Sequence, residues 1–141
     1  MTSAHSGSCL CGSVSFVLSG DLAPVSCCHC TQCRKTTGHY LASTVSRADA
    51  LTFSSDAGLK WYRSSDHAER GFCADCGSTL FWRANGSPDI SIAVGSLSSP
   101  TGLKIARHIF VTDQGDYYPP PADAPCFATY PGGPGTPSEA D

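Results

Sequence analysis

The sequence predicts an all-β fold of short antiparallel strands, and two observations carry the prediction. Stretches of about five to seven residues with alternating, β-branched or aromatic character recur at short spacing. Gly, Pro, Asn and Asp turn signals divide them. Charged residues make up only 15% of the chain against 40% hydrophobic, so the surface relies on Ser, Thr, Gly and Asn. Helical surfaces are usually rich in Glu, Lys and Arg, and this composition leans the other way.

Taken in order, residues 1–6 read as a loose tail. Residues 12–18 alternate: Val14, Phe16 and Leu18 fall on one face and Ser13, Ser15 and Val17 on the other, as in a half-buried strand. Gly20, Asp21 and Pro24 break the pattern. A cysteine-rich stretch follows, where residues 30–37 have room for a short helix and residues 35–38 close it with a turn. Residues 40–45 read as a strand, 48–50 as a turn and 51–53 as a strand. After a turn ending at Gly58, residues 59–62 read as a strand pairing back as a hairpin. Residues 70–73 lead into another cysteine pair, and residues 79–82 are aromatic and strand-like. Asn85-Gly86 is a hairpin-type turn signal, residues 90–94 alternate again, and residues 105–111 give a last strong strand. From Pro119 on, Pro and Gly dominate and no packed element is expected. The expected organisation is a flexible N-terminus over 1–6, one domain over 7–120 and a Pro/Gly-rich tail over 121–141.

Composition excludes several classes of function. At 141 residues the chain is one domain on length. The net charge is -3, the isoelectric point is about 5.9, and no Lys/Arg cluster provides a footprint for nucleic acid. No apolar run approaches the roughly 20 residues of a membrane span. The opening MTSAHSGSCL lacks the charged and apolar regions of a secretory signal, so a cytoplasmic chain is expected. Nine cysteines is an odd number, and cytosolic thiols are kept reduced, which disfavours a disulfide framework and favours metal binding.

Spacing sorts the cysteines into two groups. Cys9 and Cys11 form one close pair and Cys73 and Cys76 another, each followed at once by glycine (Gly12, Gly77). Such a glycine suits a tight turn with backbone N–H groups aimed at thiolates. Four thiolates would close a tetrahedral zinc site and staple the N-terminal strand to the region of residues 70–82. The plainer reading of these four is small buried residues or redox thiols. Cys28, Cys30 and Cys33 form a C-x-C-x-x-C cluster with three well-spaced thiols. A catalytic zinc keeps three protein ligands and an open position. Three thiolates leave it a weak Lewis acid suited to exchanging a soft sulfur ligand. The competing reading is a second structural site completed by Cys27, His29 or a distant histidine. Cys27 and Cys126 read as bystanders.

The segments GSCLCGSV, CHCTQCRKTTG, ERGFCADCGSTLFW and HIFVTDQGDYY, in that order, resemble the family of glutathione-dependent formaldehyde-activating enzymes and centromere protein V. The resemblance spans roughly residues 7–120. It implies a zinc-binding β-tent fold with two Zn2+ per chain. One is structural, on Cys9, Cys11, Cys73 and Cys76; the other has three ligands, Cys28, Cys30 and Cys33. It also implies a carbon–sulfur lyase of the S-hydroxymethylglutathione synthase type, condensing glutathione or a similar small thiol with formaldehyde or another small carbonyl. The alternative is a non-catalytic, zinc-stapled binding or scaffold protein; a redox thiol protein is a weaker third reading.

Other residues invite roles beside these. His108, in the HIFV segment, reads as a proton donor or hydrogen-bond partner in catalysis, or simply as a histidine bonded within its strand. His29 lies between two ligands, so its side chain is expected to point away. Arg34 and Lys35 suit a carboxylate of an anionic thiol peptide, and Arg34 equally suits offsetting the cluster's charge. Arg70 has the same ambiguity, with a structural role favoured. Asp113 and Tyr117 read as a pocket rim or a solvated loop; Trp61, Phe81 and Trp82 read as core aromatics. His5, His39 and His67 receive no role.

Overall fold

The computed structural model describes residues 4–131, which hold ten strands, one α-helix and three short 3-10 turns. Strand character dominates, as the sequence predicts. The chain divides into two compact units, each assembled from segments distant in sequence: Met1–Ala23 with Thr44–Leu103, and Pro24–Ser43 with Lys104–Asp141.

The first unit carries β1 (Ala4–Ser8), β2 (Val14–Ser19), β5 (Leu51–Asp56), β6 (Leu59–Arg63), β7 (Ala68–Cys73), β8 (Thr79–Ala84) and β9 (Asp89–Ala93). It also includes the later half of β4 (Leu41–Arg47). One sheet runs β1-β2-β5; in the other, β6, β7, β8 and β9 follow one another and β9 adjoins β4. Val14, Phe16 and Leu18 are fully buried while Val17 is 40% exposed, so the alternation read from the sequence is the pleat of β2. These three join Leu80, Phe81, Ile90, Ile92 and Leu97 in one apolar core, which also takes in Cys9 and Cys73. The Phe16 and Phe81 rings meet edge to face at 5.1 Å. Trp61 packs against this core and carries the Arg83 guanidinium 3.7 Å over its ring.

The second unit carries β3 (Val25–Cys28), α1 (Thr31–Thr37), the first half of β4 and β10 (Ile105–Ile109). The strand β3 pairs antiparallel with β4 and parallel with β10, where His108 lies opposite Cys27. That parallel pair departs from the antiparallel expectation. A hairpin cannot join parallel strands, and β10 is instead far from β3 in sequence. Helix α1 falls where the sequence leaves room for one. Gly38, at φ 87° in the left-handed region, ends it and donates its N–H to the Arg34 carbonyl.

Three elements differ from the sequence expectation. Ala4–Ser8 is a strand paired along its length with β2 rather than a loose tail. Its side chains carry no apolar alternation; backbone pairing and the close packing of Gly7 on the Phe16 ring hold it, since a Cβ there would stand 2.5 Å from the ring. The hairpin expected between residues 51–53 and 59–62 is absent: β5 pairs with β2, and β6 with β7. Finally, residues 125–129 bond along 108–112 (Phe127 N–H to the His108 carbonyl, His108 N–H to the Pro125 carbonyl), in a stretch whose composition predicts no packed element. The part of the expected tail from 132 to 141 lies outside the described residues.

Candidate functional site

In the first unit the sulfurs of Cys9, Cys11, Cys73 and Cys76 all lie within 4.8 Å of one another. Cys9 Sγ stands 3.7 Å from Cys11 Sγ, and Cys11 Sγ stands 3.8 Å from Cys73 Sγ. Sulfurs at the corners of a zinc tetrahedron with Zn–S of ~2.3 Å stand about 3.8 Å apart, so this donor set fits a closed zinc site. Two tight turns build it. Gly12 (φ 86°) and Gly77 (φ 80°) adopt the left-handed conformation directly after the ligand pairs. The turns aim donors at sulfur: Val14 N–H donates to Cys9 Sγ at 3.3 Å, and Ser78 Oγ lies 3.2 Å from Cys76 Sγ. Hydrogen bonds from the hydroxyl and N–H of Ser78 and from the Cys11 backbone bring the Cys76 thiol down to about 5. Burial raises Cys9, yet the Val14 N–H and the Cys73 and Cys11 thiols hold it below its usual value; burial pushes Cys73 up to about 11. Gly58 also matters here, because a Cβ on it would come 2.8 Å from Cys73 Sγ and 2.8 Å from Ser13 Cβ.

In the second unit Cys28 ends β3, Cys30 caps α1 and Cys33 sits in its first turn, with their sulfurs within 4.8 Å of one another. Cys30 takes the N-cap position that Ser, Thr, Asp and Asn usually fill, and its sulfur accepts the Cys33 N–H at 3.4 Å. Among the described residues no further Cys, His, Asp or Glu joins this group. The sulfurs of Cys30 and Cys33 push the Cys28 thiol strongly up. Three thiolates this close need a cation to balance them, which suits a metal with three protein ligands. A hollow of about 370 Å³ lies along α1, lined by Thr31, Arg34, Lys35, Gly38 and Tyr117. Arg34 is oriented there by donating to the Asp113 carbonyl at 3.0 Å, and Tyr117 OH meets His39 Nδ1 at 2.6 Å.

A hydrogen-bond chain with two buried histidines in its middle, a half-buried tyrosine at one end and an exposed carboxylate at the other runs through the same unit. His29, fully buried, places Nδ1 2.5 Å from Tyr118 OH and Nε2 2.9 Å from His108 Nδ1. His108, 1% exposed, places Nε2 2.7 Å from Asp123 Oδ1. The bond to His108 holds the Asp123 carboxyl below the usual carboxylate range, and burial brings His29 down to about 4. Asp123 is an acceptor. With neutral rings the chain then has one direction: His108 Nε2–H donates to Asp123, His29 Nε2–H to His108 and Tyr118 O–H to His29.

The side chain of His29 is therefore spent on Tyr118 and His108 and does not join the sulfur group. Both ring nitrogens of His108 are likewise occupied, by His29 and Asp123, and its side chain is buried. Cys27 is a buried thiol pushed up to about 12 by burial and the Asp123 charge; Cys126 is exposed, with its S–H on the Pro121 carbonyl. Arg70 is buried in β7. Tyr117 lines the hollow, whereas Asp113 does not and only accepts from Arg34 through its carbonyl. Phe81 is a core residue and Trp61 packs on the core, while Trp82 is half-buried. His39, without a role in the sequence reading, stands at the hollow's rim through Tyr117; nothing in its spacing marks it. Tyr118 and Asp123 likewise carry no signal in the sequence that singles them out.

Comparison with known proteins adds three findings. The family model described as glutathione-dependent formaldehyde-activating enzyme matches residues 4–113. An uncharacterised lyase of Schizosaccharomyces pombe is 27% identical over 116 residues, 81% of this chain and 83% of that protein. A crystal structure of a Rhodobacter sphaeroides protein superposes with a TM-score of 0.55 at 25% identity, over 69% of this chain and 91% of that one. No helix among the described residues is long and apolar enough to cross a membrane.

Proposed function

The chain belongs to the glutathione-dependent formaldehyde-activating enzyme family, and from that premise we propose that it is a carbon–sulfur lyase-type enzyme joining a small anionic thiol, such as glutathione, to formaldehyde or another small carbonyl. The observation that carries this reading is the unequal ligand count: Cys28, Cys30 and Cys33 supply three sulfurs where Cys9, Cys11, Cys73 and Cys76 supply four. The relative named a lyase supports the reaction class. Cys28, Cys30 and Cys33 would hold a zinc ion with a position open, and the other four cysteines a structural one. When bound at the three cysteines, zinc supplies a cation that favours the anionic, nucleophilic form of a substrate thiol.

The chain's own residues supply the rest. Arg34, already oriented by the Asp113 carbonyl, and Lys35 offer two cations to the carboxylates of an anionic thiol peptide lying in the hollow. Holding thiol and carbonyl together makes their encounter effectively unimolecular. In the reaction a sulfur–carbon bond forms, the carbonyl π-bond opens, and the proton lost by the thiol is restored at the new oxygen. In this reading the Tyr117 hydroxyl, which lines the hollow and meets His39 Nδ1, would carry that proton.

The test is exchange spectroscopy of formaldehyde with glutathione by NMR, with zinc-loaded wild type and Cys30→Ser. The reading expects acceleration by the wild type and none by the variant. Serine is a good helix N-cap, so this substitution removes a thiolate while keeping the cap of α1. A zinc-loaded wild type that exchanges no faster than buffer would exclude this substrate pair.

A further inference from the structure

The chain from Tyr118 to Asp123 has no part in the reaction as described, and its two ends lie beyond residues 4–113, the span matched by the family model. Its middle is His29, the residue between the ligands Cys28 and Cys30. His29 is held at three points: its N–H donates to the Ile109 carbonyl at 2.9 Å, and its two ring nitrogens meet Tyr118 and His108. Consecutive Cα atoms are fixed about 3.8 Å apart, so whatever fixes residue 29 also fixes where both flanking cysteines start. Burial alternates accordingly. Cys27 and His29 are buried, whereas Cys28 and Cys30 are half-buried. The imidazoles therefore anchor the segment from the side opposite the sulfurs. His108 is anchored in turn, by the parallel register with Cys27 and by backbone bonds to Pro125 and Phe127. Asp123 supplies the carboxylate at the end, and it comes from a proline-rich segment that lies along β10.

The geometry points to Asp123 as a positioning residue for the three-cysteine site: through His108 and His29 it sets the Cys28-His29-Cys30 segment so that its sulfurs converge with Cys33. Asp123 touches neither sulfur nor substrate; it acts through two imidazoles. Partners one step removed from metal ligands commonly change affinity by about 10–100-fold when removed, by losing orientation rather than a ligand. The inference rests on reading Cys28, Cys30 and Cys33 as a metal centre, and the molecule contains its own control, since Cys9, Cys11, Cys73 and Cys76 belong to the other unit.

The experiment follows zinc release from the loaded full-length chain to a chromophoric chelator. Wild type is compared with Asp123→Ala, Asp123→Asn, Tyr118→Phe and Cys30→Ser. The zinc equivalent missing from Cys30→Ser identifies the three-cysteine phase. Asp123→Ala is expected to speed that phase about 10-fold and leave the other unchanged. Asp123→Asn keeps an oxygen that accepts from His108 and is expected to stay within about 3-fold of wild type. Tyr118→Phe removes one hydroxyl from a half-buried residue and is expected to speed the same phase about 3-fold, which serves should Asp123→Ala not fold. Long-range 15N spectra should show a hydrogen-bonded His108 Nε2–H in wild type and a shifted Nε2 signal, with that bond lost, in Asp123→Ala. Wild-type release rates in both Asp123→Ala and Tyr118→Phe, or equal acceleration of both phases, would overturn the inference. A wild type that loads one zinc, with Cys30→Ser loading the same one, would instead overturn the metal-centre reading on which it stands.

Discussion

The four-cysteine cluster is half set in an apolar core: Cys9 and Cys73 pack in the same cluster as Val14, Phe16, Leu80 and Phe81, while Cys76 is half-buried and Cys11 exposed. The three-cysteine cluster belongs to a unit whose interior includes two buried histidines and a buried thiol, with a hydrogen-bond chain leading from those histidines out to an exposed carboxylate. The same ligand atom thus appears in two different settings. Four sulfurs, two of them set in that core, would let a metal act as a cross-link between distant segments. Three sulfurs would leave a metal with a position for a substrate, and the polar hollow along α1 would offer that substrate the cations of Arg34 and Lys35.

The sharpest way to break this contrast is to remove one ligand from each site. Cys73→Ser strikes a fully buried ligand and is expected to cost about 5 kcal/mol or more of unfolding free energy, since structural metal binding is largely folding free energy. Cys30→Ser is expected to lose one zinc and the activity while costing about 1 kcal/mol. Urea denaturation with zinc analysis on both variants decides; equal destabilisation would erase the distinction. Next in size is Gly58→Ala. Its new Cβ would meet Cys73 Sγ at 2.8 Å, and overpacking of this kind costs about 1–3 kcal/mol. The expected signature is reduced thermal stability with unchanged occupancy of the three-cysteine site.

Arg34→Ala sharpens the other half of the comparison. Losing a charged hydrogen-bond partner for a carboxylate is worth about 1.5 kcal/mol, so KM for an anionic thiol should rise about 10-fold with kcat little changed. An uncharged thiol of similar size should show no such penalty, and a matched rise for both would remove Arg34 from substrate recognition. The smallest expected effect concerns pH. Asp123 has a carboxyl held below its ordinary value by His108, with Cys27 nearby as a further titrating group. A lowered carboxyl pKa contributes stability that is complete above the unfolded value of about 4 and is lost as pH falls through the lowered value. The stability difference between wild type and Asp123→Asn should therefore be constant near neutrality and shrink below about pH 4. A difference that grows on acidification would contradict the bond.

Much of the fold and of the candidate site is legible in the chain's local patterns, for reasons visible in particular residues. The alternation of Val14, Phe16 and Leu18 reports a strand with one wet face because side chains in strands point to opposite sides. Helix α1 falls where only one stretch has room for it, and Gly38 stops it. The cysteine groups are legible because chelation needs close pairs, and close pairs survive as spacing in the chain. Pairing partners are less legible. Residues 51–53 and 59–62 look like a hairpin across Gly58, but Leu51 and Phe53 are placed against β2 and Trp61 against Phe81, so the two strands part into different sheets. The strand at Ala4–Ser8 leaves no trace in the side-chain pattern because its pairing is written in backbone hydrogen bonds.

The sequence by itself determined the fold class, the family and the two sets of sulfurs, since periodicity and ligand spacing are local properties of a chain. Only the tertiary structure decided what surrounds each set. Tyr118 lies 89 residues from His29, and Asp123 lies 15 residues from His108 in a segment that composition marks as a tail. No local pattern encodes those meetings. They arise because a parallel strand pairing sets His108 opposite Cys27, and because a buried imidazole with two polar nitrogens must find partners wherever the fold supplies them.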